Sequence, residues 1–278
     1  MKSALVTGHK GFIGSHLYRE LDLNWNCTVK GIDIKDGDDI CTYDFGDEPV
    51  DVIFHLAARA SIPASFEHPA DSNYNNVYGS LRVLEYAKRV GAKVIFSSSS
   101  SVYGEPVSVP THENDPLRYV SPYAFQKREV EEYMRLLNIN GFALRYFNVF
   151  GEGQENANKG DNSLLLATFL EQKRNGKPLT IVGTGEQRRD FVYVKDVVQA
   201  NIAAALNDEI YVPRILNVGT GKNYSVNEIA EIIDPDGKRE HLPARKEPMV
   251  GLAQIGLIRD VLGWKPTLDV KDWLTTQV

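Results

Sequence analysis

The sequence predicts an α/β fold: a doubly wound parallel sheet followed by a smaller C-terminal lobe. Two observations carry that expectation. Through the first 150 residues, short and nearly all-apolar strands alternate with amphipathic helices, the pattern of a parallel sheet covered on both faces. Beyond residue 150 the alternation loosens into polar loops and shorter segments. A chain of 278 residues is long enough for one large domain with a smaller partner.

The elements follow in order. SALVT (3–7) is a buried strand, and GHKGFIGSHLYREL turns into a helix. TVKGIDI (28–34) and DVIFHLAA (51–58) are the next strands, and the helix at 75–90 leads into AKVIFSSSS. The helix PYAFQKREVEEYMRLLN (122–138) is followed by the strand FALRYFNVF (142–150). After the polar loop GEGQENANKGDN come helix NSLLLATFLEQKRNG, strand LTIVG and helix VKDVVQANIAAALN. The tail holds VNEIAEII, the loop LPARKEPM and IRDVLGWKP. The expected division is a dinucleotide-binding domain at 1–150, which segment 191–218 rejoins, and a substrate-binding lobe at 151–278. That lobe would lie over the C-terminal ends of the strands, where open α/β sheets bind ligands.

Composition narrows the function. Hydrophobic residues at 42% and charged residues at 24% are ordinary for a soluble enzyme. A net charge of −6 without a dense basic run argues against a nucleic-acid partner. No apolar run reaches the roughly 18 to 20 residues of a membrane span. MKSALVTG reads as a strand rather than a charged leader, so a cytoplasmic protein is expected. Cys27 and Cys41 offer neither a disulfide framework nor a metal cluster, and no metal is expected.

TGHKGFIG places Gly8, Gly11 and Gly14 between a strand and a helix, the context of a Rossmann-type phosphate cradle. Gly8 permits the tight turn, Gly11 lets backbone approach a pyrophosphate, and Gly14 lets the helix pack on the sheet. The helix N-terminus adds free N–H groups and partial positive charge. Asp33 ends the second strand, where a carboxylate accepts from both ribose hydroxyls and repels a 2′-phosphate, so NAD is expected over NADP.

SPYAFQK sets Tyr123 and Lys127 four residues apart on one helix face. A nearby ammonium favours the phenolate, which makes the tyrosine a candidate base for a sugar hydroxyl. SSSSSVYG (97–104) ends an apolar strand and can supply a hydroxyl to the same place.

Together TGxxGxxG, the acid after the second strand, HLAA, SSSxxVYG, SPYxxxK, LRYFNVFG and RDFVYVxDV resemble the extended short-chain dehydrogenase/reductases, and among them the nucleotide-sugar 4-epimerases. The resemblance runs from Ser3 to about Pro266. It implies Ser99 as the catalytic hydroxyl, Tyr123 as the base, and Lys127 as its tuner and a nicotinamide-ribose contact. It implies Phe12 and Ile13 along the pyrophosphate, Leu56, Ala57 and Ala58 beside the nucleotide, and Asn75 or Asn76 steadying the cofactor region. The family's adenine-side Asp–hydrophobe pair would be Asp39–Ile40 or Asp44–Phe45. Phe147 would approach the nicotinamide and Asn148 the sugar nucleotide's phosphates, while Arg189 and Arg245 would grip the substrate diphosphate.

The implied reaction is a transient oxidation at C4 of a nucleotide-diphosphate sugar to a 4-keto intermediate, with hydride return to the other face. Relatives that dehydrate carry glutamate immediately before VYG; this chain has Ser101, which cannot perform that proton transfer. A net-redox reductase or dehydratase of the same family, or a non-catalytic dinucleotide sensor, are the alternatives. The family also pairs into homodimers through helices matching 75–90 and 122–138; Leu84, Val130 and Met134 fit such an exposed face, and core packing explains them equally well. Three departures stand out: only IKDGDDICTYDFGDEPV separates Asp33 from DVIFHLAA, Gln254 replaces an aspartate, and the substrate lobe is compact.

Overall fold

A computed structural model describes residues 1–157, 164–208, 214–245 and 247–277. The strands are β1 (Ser3–Thr7), β2 (Thr28–Ile32), β3 (Val52–His55), β4 (Lys93–Ser99), β5 (Gly141–Tyr146), β6 (Asn148–Phe150), β7 (Leu179–Val182), β8 (Arg188–Arg189), β9 (Phe191–Tyr193), β10 (Arg214–Val218), β11 (Tyr224–Ser225) and β12 (Arg239–Leu242). The helices are α1 (Phe12–Asn24), α2 (Ile62–Glu67), α3 (Pro69–Asn73), α4 (Gly79–Val90), α5 (Pro122–Leu136), α6 (Gln154–Ala157), α7 (Leu165–Arg174), α8 (Val194–Leu206), α9 (Val226–Ile233), α10 (Gly256–Leu262) and α11 (Val270–Leu274).

The main sheet has the order β10-β5-β4-β3-β1-β2 and is parallel throughout. Side chains alternate along each strand, so both faces need cover. In β1, Ala4 and Val6 join one core with Leu17 and Leu21 of α1 and Val197 and Val198 of α8. Leu5, between them, joins the opposite core with Val83 and Leu84 of α4 and Val130 and Met134 of α5. The direction of the winding reverses between β1 and β3. Beyond the strands' C-terminal ends at such a reversal, open α/β sheets carry their ligand crevice. A third core, with Phe150, Phe169, Ile229 and Trp273, is packed between α7, α9 and α11.

The structure refines or departs from the sequence's expectations in several places. The run 142–150 is two strands: it leaves the main sheet at Phe147, whose N–H donates to Val218 O, and β6 then pairs with β9. An apolar run gives no sign of a change of sheet. The chain passes from β2 to β3 through only a 3₁₀ turn at Ile34–Asp36, leaving β2 as the sheet's outer strand. The polar loop at 151–162 begins as α6, and its remainder, 158–162, lies outside the described residues. For Leu84, Val130 and Met134, open between an exposed pairing face and the core, the structure decides for the core: each is 0% exposed. Both faces of a sheet-covering helix can be apolar, and periodicity alone does not say which is outward.

That placement is testable. Leu84→Ala removes side-chain volume from a site with no exposure, so urea unfolding should show a loss of about 2–5 kcal/mol. A loss under about 1 kcal/mol would instead fit a surface residue.

Candidate active site

The glycine turn folds as its spacing dictates. Gly8 sits at φ +75°, and its N–H donates to Ile32 O at 2.7 Å. A Cβ on Gly8 would lie 2.7 Å from Ala57 N, and one on Gly14 would lie 2.0 Å from Gly8 O. No side chain other than hydrogen fits either place. Helix α1 starts at Gly11 with no side-chain cap and no acid in its first turn, so the first amides, Phe12 and Ile13 among them, stay open to an anion. Asp33 is buried, and its carboxylate accepts the Lys10 and Lys35 N–H groups at 2.9 Å each, which ties the cradle to the end of β2. A carboxylate has about four lone-pair sites, so two such bonds leave it able to accept ribose hydroxyls. Leu56 and Ala57 close the third side, their amides donating to Thr7 O and Thr7 Oγ1 at 3.1 and 3.3 Å, with Ala58 next in line. These residues fit a dinucleotide.

Both adenine-side alternatives pack against α4. Ile40 fills the space over Gly79, and neighbouring Cys41 donates to Tyr74 O at 3.5 Å. Phe45 stacks on Tyr86 of α4 at 5.2 Å. Of the two asparagines, Asn76 is buried: it accepts the Arg59 N–H at 2.7 Å and donates to Gln126 of α5 at 2.8 Å. Asn75 is only half-buried.

Helix α5 begins with Ser121 as N-cap, its hydroxyl accepting the Ala124 N–H at 3.1 Å, and Pro122 in the first turn. Three residues spaced by four, Tyr123, Lys127 and Glu131, then meet three consecutive serines at the end of β4. The Ser99 hydroxyl lies near enough to the Tyr123 phenol to oppose the rise of its pKa. Lys127 Nζ donates to Ser97 O at 2.7 Å and lies over the Phe96 ring at 4.8 Å. Ser98 Oγ donates to Glu131 at 2.6 Å.

Electrostatics here differ from the expectation for a Tyr–Lys pair. Burial pushes the Tyr123 phenol up to about 12, with Ser99 as the opposing influence. Burial also pulls Lys127 down to about 7, while Glu131 holds it up. Lys127 lies 5.8 Å from the Tyr123 ring centre with its ammonium bonded to Ser97 O, so desolvation outweighs attraction. His55, bonded to Thr7 and Ser80 at 2.7 and 2.8 Å, is held neutral with its pKa lowered to about 3 by burial and by the Lys127 charge.

Glu131 is the participant that sequence reasoning missed. It is 3% exposed and takes two bonds from Arg145 of β5, at 2.9 and 2.7 Å. Its signal was present as the next i+4 position after Lys127, but a glutamate on a charged helix reads as a solvated one.

Phe147 is buried beside Val102, Tyr103 and Ala253. Asn148 is exposed, and its backbone and side-chain N–H groups both donate to Asp190 O. Arg189 and Arg245 do come together, converging on a carboxylate of this chain, Glu247, at 2.7 and 3.5 Å. Gln254 stands outside this group and accepts the Gly256 N–H at 2.6 Å where α10 begins. Among the described residues, no group of three or more His, Cys, Asp or Glu could hold a metal ion, and no helix is long and apolar enough to cross a membrane.

Known proteins share this arrangement. The model of the NAD dependent epimerase/dehydratase family matches residues 4–219. The UDP-glucuronate 4-epimerase of Thermodesulfobacterium geofontis is 34% identical, over 82% of this chain and 72% of the relative. The solved UDP-N-acetylglucosamine 4-epimerase of Methanobrevibacter ruminantium M1, in complex with UDP-N-acetylmuramic acid, superposes with a TM-score of 0.88 at 33% identity, covering 100% of this chain and 99% of that one. The UDP-glucuronic acid 4-epimerase of Bacillus cereus, in complex with UDP-glucuronic acid and NAD, gives a TM-score of 0.87 at 28% identity, covering 99% and 97%. With the family model spanning both the glycine cradle and the Ser–Tyr–Lys cluster, this chain belongs to the NAD-dependent epimerase/dehydratase family.

Proposed function

We propose that this protein is an NAD-dependent epimerase of a nucleotide-diphosphate sugar, acting at C4. The observation that carries the reading is the pairing of Ser99 and Tyr123 at the C-terminal end of β4, beside a cradle shaped for a dinucleotide. Gly8, Gly11, Gly14, Phe12 and Ile13 hold the cofactor's diphosphate by backbone, and Asp33 takes its adenosine ribose. Leu56, Ala57, Ala58 and Asp39–Ile40 line the adenosine side, with the Asn75–Asn76 turn behind them. Phe147 bounds the nicotinamide end. Bound NAD supplies a positively charged ring and a place for a hydride to go and return from.

The chain's own residues manage the proton. Tyr123 Oη takes it from the sugar's C4 hydroxyl and gives it back, and Ser99 Oγ holds that oxygen in line. Lys127 stands on the same face of α5, its ammonium bonded to Ser97 O, and tunes the phenol by the charge it carries when protonated. Asn148, Arg189 and Arg245 hold the sugar nucleotide by its diphosphate. Ser101, standing beside Ser99, has no acidic proton to give, so a keto sugar formed here has no route to elimination. The work divides between residues 1–150 with 191–218, for the cofactor, and the remainder of 151–278, for the substrate.

A cytoplasmic location fits the free Cys27 and Cys41. A homodimer through α4 and α5 fits the exposed Tyr74, Tyr78 and Phe125 on and before those helices.

Three measurements test this reading. Incubated with UDP-glucose, UDP-galactose, their N-acetyl forms and UDP-glucuronate, the protein should interconvert at least one C4 pair without consuming added NADH. Stoichiometric NADH loss, or no interconversion, overturns it. Tyr123→Phe should lower kcat by roughly 10²- to 10⁴-fold while NAD binding stays intact. Lys127 makes the third test: its pKa is about 7 folded against 10.5 in the open chain, so the unfolded state holds the extra proton between those values. Stability from this group therefore rises as pH climbs from 7 towards 10. Lys127→Met should remove that rise from the difference curve; a wild-type protein whose curve matches the variant's would contradict the buried-lysine geometry.

A further inference from the structure

The substrate-side arginines carry a feature that the proposed reaction leaves unexplained. Arg189 of β8 is only 17% exposed, and its Nη2 donates to Glu247 Oε2 at 2.7 Å. Its Nη1 donates to Arg188 O at 2.9 Å. Arg245, from the loop after β12, approaches the other oxygen of the same carboxylate, Nε to Oε1 at 3.5 Å. Gln187 Nε2 reaches that oxygen at 3.5 Å as well. Two guanidiniums and an amide thus face one carboxylate.

Glu247 is held at this place by its own segment. Arg188 N–H donates to Met249 O at 2.8 Å and Gly251 N–H donates to Arg188 O at 2.9 Å, forming a parallel bridge between Arg188 and Val250. The Met249 N–H donates to Glu105 at 2.9 Å, so that acid is occupied with backbone near the arginines. Burial pulls the Arg189 pKa down and Glu247 opposes the fall. A largely buried guanidinium needs a counter-ion, and a carboxylate accepting from two cations occupies the donors that a diphosphate would take.

We propose that Glu247 competes with the substrate's diphosphate for Arg189 and Arg245, an internal carboxylate standing where the ligand's phosphates bind. This rests on the assignment of those arginines to a nucleotide-diphosphate sugar. Binding exchanges one anion for another, so Arg189 keeps a counter-ion throughout. The exchange weakens ground-state affinity and gives the product a ready replacement on leaving. Glu247 acts on affinity through the arginines and does not touch the reacting carbon.

The test uses Glu247→Gln in the protein saturated with NAD. Calorimetry with inorganic pyrophosphate, UDP and uridine reads the competition, and UDP-galactose kinetics read its consequence. Pyrophosphate and UDP should bind roughly tenfold tighter than to wild type. Uridine affinity should be unchanged, and KM should fall without a gain in kcat. Glu247→Asp, which keeps the charge but shortens its reach, should shift both anions in the same direction by less, and it decides the matter should the glutamine variant fail to fold. Unchanged or weaker pyrophosphate and UDP binding overturns the proposal, since Glu247 would then be only a support for Arg189, and it does so even where wild type epimerises normally. Tighter pyrophosphate binding in a protein that turns over no sugar nucleotide upholds the competition and removes the epimerase reading instead.

Discussion

The candidate site depends on one buried carboxylate. Ser98 and Arg145 are direct partners across β4 and β5, and Glu131 of α5 bonds to both. A helix gripping a cross-strand pair has its rotation and its position along the sheet set together. Residues four apart share a face, so fixing Glu131 fixes Lys127 at Ser97 and Tyr123 at Ser99. The same Arg145 donates to Glu113 O at 3.1 Å and lies 4.8 Å over the Tyr103 ring. Tyr103 donates to Asn217 of β10 at 2.6 Å, and Asn217 N–H returns to Glu113 at 2.8 Å. Four segments distant in sequence therefore share one buried polar network. Such a network is stabilising only with every partner present; removing one side of a buried pair typically costs about 3–5 kcal/mol.

Burial also explains why Tyr123 and Lys127 move in opposite directions. Each loses the charged form to desolvation, the phenol by rising to about 12 and the ammonium by falling to about 7. Left to these two side chains, the lysine would lose its proton before the tyrosine. The acidic phenol expected from a Tyr–Lys pair thus does not come from the pair. In the proposed reaction the positive charge of a bound nicotinamide would add to that of the lysine, tying proton transfer to NAD being in place. Glu131 has a second effect here, because its charge four residues away is what opposes the fall of Lys127.

What the sequence made legible is what lies close along the chain. The glycine turn, the buried Asp33, the serine run and the Tyr–Lys spacing are local patterns whose geometry follows from strand-to-turn-to-helix connection or from the helical period. What it hid is pairing at a distance. Glu131 depends on Arg145, fourteen residues on in another strand, and Glu247 depends on Arg189, 58 residues earlier. Leu84, Val130 and Met134 stay ambiguous in the sequence because a helix lying on a sheet has no sequence marker for its inward face when both faces carry apolar residues. Helices α2 and α3 went unnoticed because SIPASFEHPADSN is broken by two prolines, each of which in fact sits in a helix's first turn.

The two ends of the site are held by different contacts, and the proposed chemistry uses that difference. Tyr123 is fixed to β4 by the Glu131 clamp, so one base serves one point in space. Epimerisation asks that point to serve both faces of a carbon, so the sugar has to turn while the base does not. Ser99 and Ser101 present short side chains there, and the Ser101 hydroxyl is buried with no hydrogen-bond partner. Short side chains offer a ring little to hold. The grip lies at the other end, where guanidiniums meet an anion. A site gripping the sugar as firmly as the diphosphate would keep its substrate on one face and return it unchanged; on the proposed reading, Arg189 and Arg245 shared with Glu247 would hold the diphosphate in place yet release it.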